Sequence, residues 1–163
     1  MSAETPAPLA LAPAPEAPPT ARACVVVLGG RQFAVDVTDA REVVVLDTTT
    51  PVPGAPTVVI GLMNLRGNVL PVVEARPLLG LPVRVTTDRA LVLADGERRA
   101  AVLVEAVLGL TTLDSLRPPA SETPGSFTVG ELSADTGGHA TLLDGRAVLA
   151  AIRRAWEPDS GGA

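Results

Sequence analysis

Apolar positions along this chain come in short runs broken by glycine and proline, and helical spacing emerges only near the C-terminus. Val58 to Leu65 and Val69 to Val73 are rich in β-branched residues and fold back on each other across Arg66-Gly67-Asn68. In that connection the Gly-Asn pair sits where a tight turn needs positive φ. Cys24 to Leu28 and Arg31 to Asp36 flank Gly29-Gly30, a second hairpin signal. Within it Phe33 and Val35 alternate with Gln32, Ala34 and Asp36, the pattern of a half-buried strand.

The same grammar runs on. The polar stretch Thr38 to Glu42 reads as one helical turn before Val43 to Leu46 resumes as a strand, and Asp47 to Pro56 is a loop. Pro77 to Gly80 forms another turn of helix. Arg89 to Ala94 and Arg98 to Glu105 pair across Asp95-Gly96-Glu97, where Asp-Gly marks a hairpin, and Val107 to Leu110 continues the strands. Pro118 to Gly125 is a loop. Phe127 to Val129 and His139 to Leu143 are short strands either side of a turn at Asp135 to Gly138. Asp144 then caps a helix in which Val148 or Leu149, Ile152 and Trp156 recur at helical spacing, with Arg153 and Arg154 in its last turn and Pro158 ending it.

Many short strands with such punctuation predict an all-β fold built from small barrels. Two similar β sets, roughly 23–75 and 89–143, predict two subdomains within one domain over 22–158. Residues 1–21 hold six of the sixteen prolines and read as a disordered tail, and 159–163 as a second, frayed one.

Composition narrows the functions. Hydrophobic residues make up 47% and aromatics 2%, so the core is built from Val, Leu, Ile and Ala. The net charge of -5, with no basic cluster, argues against a nucleic-acid partner. A single cysteine, Cys24, excludes an internal disulfide framework and fits a reducing compartment. No apolar run reaches the roughly 18 residues of a membrane span, and the N-terminus lacks a basic signal-peptide region, so the expected location is cytoplasmic. One histidine, His139, and one cysteine cannot make a tetrahedral zinc set, and no phosphate-cradling glycine loop is present. No cofactor is expected. Asp135-Thr136-Gly137 matches the tripeptide of aspartic proteases, but that chemistry needs two carboxylates sharing a proton and hence a dimer. The surroundings of Asp135 read instead as an exposed turn.

Ile60-Gly-Leu-Met-Asn-Leu-Arg-Gly67, then Leu70-Pro-Val-Val-Glu-Ala-Arg76, then Leu78-Leu-Gly-Leu-Pro82 closely resemble the signature of the CheW-like family. Val102 to Leu110 and His139 to Leu149 resemble its later blocks more loosely, so the likeness extends over about Ala23 to Trp156. The resemblance implies two intertwined, five-stranded SH3-like barrels with strands exchanged between them, short helices including one at the C-terminus, and no catalytic activity. It implies an adaptor that couples the cytoplasmic tips of methyl-accepting chemoreceptors to the regulatory domain of a CheA-type histidine kinase in chemotaxis; the alternative is a free-standing CheW-like scaffold that binds other partners in a non-chemotactic pathway governing motility, pili or development. The partner-binding positions it implies are Ala40, Glu42, Val44, Asn64, Leu65, Arg66, Gly67 and Val107, with Arg66 pairing Glu42. Departures from the family pattern fall at Ala40, at Glu74 and Glu105 where the family has Asp, and at Ala75 where it has Leu.

Overall fold

The computed structural model describes residues 21–119 and 127–156. Residues 1–20 of the first expected tail, the whole of the second, Pro158 and most of the 118–125 loop therefore lie outside the described residues, whereas Ala21 is described and its carbonyl accepts from Leu113 N–H at 3.0 Å. The described chain forms β1 (Arg22–Leu28), β2 (Arg31–Asp36), β3 (Ala40–Val45), β4 (Val59–Leu65), β5 (Asn68–Val73), a 3₁₀ turn (Arg76–Leu79), β6 (Arg89–Asp95), β7 (Arg98–Val104), β8 (Ala106–Thr112), β9 (Thr128–Ser133), β10 (His139–Leu143) and α1 (Gly145–Trp156).

The strands make two five-stranded sheets, ordered β8-β1-β2-β10-β9 and β3-β6-β7-β5-β4. Each has one parallel pairing, β2 with β10 and β7 with β5, among antiparallel neighbours. Each also curls until its edges meet. In the first, Arg117 beyond β8 bridges Glu131 on β9; in the second, Thr50 beyond β3 bridges Leu62 on β4. The two barrels are thus related by an internal twofold that maps β1, β2 and β8–β10 onto β6, β7 and β3–β5. Sheet membership does not follow the two halves of the sequence. Each half is a hairpin plus three strands, and the hairpins are exchanged, so the first half's β1–β2 completes the barrel whose other three strands come from the second half.

This exchange explains the unbroken apolar runs. Alternate residues of a strand face opposite sides, and in β1 and β2 both sides are interior. Val25 and Ala34 point into the first barrel, whereas Val26, Phe33 and Val35 point between the barrels. Ala34 is consequently fully buried, where half-buried alternation predicts an outward position. Met63, Val72, Val92 and Leu103 fill the second barrel. The largest core lies between the barrels and is roofed by α1 through Val148, Leu149 and Ile152. As the sequence predicts, Asp144 caps that helix, its Oδ1 accepting from the N–H groups of Arg146 (3.0 Å) and Ala147 (3.1 Å).

Three local expectations are corrected. Thr38 to Glu42 is not a helical turn: Ala40, Arg41 and Glu42 begin β3, because a run of valines beside β6 gains more from pairing than from one isolated turn. At the β4–β5 hairpin the two loop residues are Arg66 and Gly67, with φ of 52° and 86°, while Asn68 already pairs with Leu65. Positive φ falls one residue earlier than expected. The strand expected over Phe127 to Val129 starts one residue later and extends further, from Thr128 to Ser133.

Candidate functional site

The residues singled out by sequence gather mainly where the second barrel closes. β3 and β4 are the edges of its sheet, and the chain beyond β3 meets β4 through the reciprocal bonds of Thr50 and Leu62 at 2.9 and 2.8 Å. Glu42 on β3 and Arg66 at the tip of β4–β5 lace the same seam. Arg66 Nη1 donates to Glu42 Oε1 at 3.0 Å and Nη2 to Oε2 at 2.5 Å, a fork-to-fork pair. The Arg66 side chain is 72% exposed and that of Glu42 29%. Hydrogen bonding to Glu42 holds the Arg66 guanidinium above its ordinary range.

The backbone explains the placement. A two-residue turn with left-handed φ at both positions suits the twist of the flanking strands. Gly67 adopts it freely, whereas Arg66 is the one non-glycine with positive φ among the described residues. Asn64 steadies the turn, its Oδ1 accepting from Gly67 N–H at 2.8 Å. Leu65 packs its side chain against the second barrel's core, as does Val44. On β3 a bulge between Ala40 and Glu42 resets which side chains face inward, leaving Val43 and Val45 exposed beside Glu42.

Ala40 and Val107 lie apart from this cluster, at the border between barrels. The internal twofold relates them: Ala40 pairs with Leu93 and Val107 with Val26, a bulge follows each, and both pack against the central core. By the same operation Glu42 corresponds to Gly109, and the Arg66 turn corresponds to the turn at Asp135. There Thr136 lies beside Gly109. Asp135 Oδ2 accepts from Thr112 N–H at 3.2 Å, and Asp135 N–H donates to Thr111 Oγ1 at 2.8 Å. Asp135 is thus a seam lock of the first barrel, with its carboxylate committed to backbone. Among the described residues no three His, Cys, Asp or Glu side chains converge as metal ligands.

Sequence reasoning missed the other arginine. Arg76, 2% exposed, stands where the barrels cross. Its Nε and Nη2 clasp Glu74 at 2.8 and 2.5 Å, and Nη1 donates to Glu105 Oε2 (2.7 Å) and to the Val85 carbonyl (2.9 Å). Glu105 in turn accepts from the N–H groups of Gly29 (2.9 Å) and Gly30 (3.1 Å) at the tip of the exchanged hairpin. The glutamates hold the guanidinium well above the usual arginine range. The available signal was two acids and an arginine inside otherwise apolar segments, since buried charges persist only when paired.

Comparison with known proteins agrees with this architecture. A family model described as CheW-like domain matches residues 22–153. The chain is similar to the chemotaxis protein CheW of Rhizobium meliloti, 32% identical over 115 residues that cover 66% of this chain and 74% of that one. It is also similar to a probable chemotaxis protein CheW of Rhizobium etli, 33% identical over 98 residues, covering 58% and 63%. Among solved structures, the scaffolding protein TtCheW of Thermoanaerobacter tengcongensis superimposes with a TM-score of 0.67 at 24% identity, over 77% of this chain and 89% of that one.

Proposed function

The chain belongs to the CheW-like domain family, whose members are scaffold and adaptor proteins rather than enzymes, and from that premise we propose that it couples methyl-accepting chemoreceptors to a CheA-type histidine kinase. The carrying observation is the Glu42–Arg66 fork at the second barrel's seam, which fixes the relative position of β3 and the β4–β5 tip. An exposed ion pair contributes little to stability, so its use is orientation of a docking surface. Val43 and Val45, on the outward face of the same strand and 42% and 65% exposed, supply apolar surface whose burial drives association. Ala40 and Val107, partly buried against the core between the barrels, are the positions beside which an amphipathic receptor helix would lie. No helix among the described residues is long and apolar enough to cross a membrane, and the site of action in this reading is the cytoplasm.

Three of the four departures from the family pattern concern the interior crossing, and the fourth, Ala40, lies at the border between barrels. Glu74, Ala75 and Glu105 are interior or turned toward Arg76, and they report on how the barrels are joined rather than on what they bind. The test is reconstitution with receptor-bearing vesicles and the kinase. Arg66→Glu and Glu42→Lys each abolish receptor-dependent kinase control, and the double variant, which restores an ion pair, recovers part of it. Full coupling by both single variants contradicts the assignment.

A further inference from the structure

The internal twofold leaves one crossing between hairpin and helix packed and the other open. At the packed crossing the β1–β2 tip is covered by Leu81: a Cβ built on Gly29 meets the Leu81 Cβ at 2.9 Å. At the other, a Cβ on Gly96 in the β6–β7 tip meets no described atom within 4 Å. The strand registers make Ala100 the counterpart of Phe33, so a phenyl ring in one barrel is replaced by a methyl group in the other. Beside Ala100 a groove of about 380 Å³ runs between β7 and α1. Its apolar walls are Pro71, Leu149, Ile152 and Trp156, and the indole is 40% exposed.

The groove is also cationic on an acidic molecule. Among the described residues Arg98, Arg99 and Arg153 line it with one acid, Glu97, while the chain as a whole carries -5. All thirteen cationic residues of the chain are arginines, the side chain best matched to carboxylates. We infer that this groove is a second docking site, separate from the Glu42–Arg66 seam, for an acidic partner segment that inserts one or two large apolar side chains where the twofold-related barrel uses its own phenylalanine and leucine. Apolar anchor and charged rim fit the usual division of labour, in which burial supplies affinity and charge supplies selection.

Trp156 is the only tryptophan and reports on the groove directly. The experiment titrates the full chain with a blocked six-residue peptide carrying a central Leu-Phe pair flanked by two acids on each side. One control replaces the pair with two serines, and another replaces the acids with lysines. A saturable change in Trp156 emission is expected for the first peptide only. It weakens about tenfold or more in the Arg98→Glu, Arg99→Glu double variant and with added salt. Ala100→Phe, which refills the groove without changing charge, abolishes it, and Arg66→Glu leaves it intact. Equal responses to all three peptides, no saturable response, or binding undiminished in both groove variants overturns the proposal. It is equally overturned if the peptide binds only after residues 157–163 are removed, because the chain's own acidic end would then be the occupant.

Discussion

Two arginines, Arg66 and Arg76, each meet glutamate, and solvent makes their roles opposite. Around Arg66 water screens the pair, and its backbone is held at φ 52°. Arg66→Gly should therefore leave the melting temperature unchanged or raise it while removing the guanidinium. Receptor coupling lost in a protein that melts no lower, measured by calorimetry beside kinase assays, separates charge from turn geometry. The Arg76 side chain is only 2% exposed, and Arg76→Met strands Glu74 and Glu105 without their counter-charge. Breaking one side of a buried ionic network costs about 3–5 kcal/mol, which urea denaturation would read as a large fall in midpoint. Glu105 adds a pH signature. Burial pushes its carboxyl up, but the N–H groups of Gly30 and Gly29 and the Arg76 guanidinium outweigh that, leaving it below its ordinary value. A carboxyl depressed in the folded state binds fewer protons than when unfolded. Its contribution is present above the unfolded value of about 4.3 and is lost as pH falls through the folded one. The stability gap between the native chain and Glu105→Gln should thus be widest near neutrality and shrink below about pH 4; a gap constant with pH refutes the linkage.

At the scale of elements, the barrels close through two isolated bridges, and each is made possible by a glycine. A Cβ on Gly61 would lie 2.5 Å from the Thr50 carbonyl oxygen, and one on Gly130 would collide with the Arg117 carbonyl. Neither glycine has positive φ, so the requirement is space and not conformation. Gly61→Ala and Gly130→Ala should each part a seam at a cost of about 1–3 kcal/mol, with faster amide exchange at Thr50 and Leu62 in the first and at Arg117 and Glu131 in the second. Hairpins were legible from sequence because Gly29-Gly30 and Asp95-Gly96 encode their turns locally. The β3 start was not, because a strand beginning at Ala40 is selected by β6 across the sheet rather than by its own residues. The seam was equally hidden: Gly61 and Gly130 advertise nothing until the edge strands have come round to meet them. Arg66 was legible as a turn residue from the two apolar runs that flank it, but its left-handed φ was assigned to Asn68, the better local candidate.

At the scale of the molecule, the chain is a duplicated half with its hairpins exchanged. The duplication was visible as two similar β sets. Which hairpin joins which barrel was not, because the crossing that Arg76, Glu105 and the Gly29-Gly30 tip clasp is made by groups far apart in sequence. Exchange has a thermodynamic consequence. Neither half holds a complete barrel: β1 and β2 need β8 and β10, and β3 and β5 need β6 and β7. A fragment ending in the segment between β5 and β6 would present unpaired edges of an exchanged hairpin and three strands, too little sheet to offset chain entropy alone. Fragments 21–84 and 85–163 should each be unfolded, and mixing them should restore strand circular dichroism in a concentration-dependent step. Folding of one fragment alone would mean that a half can close on its own hairpin. The intact chain should accordingly unfold in a single transition, since the central core takes side chains from β1, β2, β5, β6, β7, β10 and α1 together. Such coupling suits an adaptor: a load placed on the Glu42–Arg66 seam reaches the first barrel through interior packing, because the barrels have no independent way to come apart.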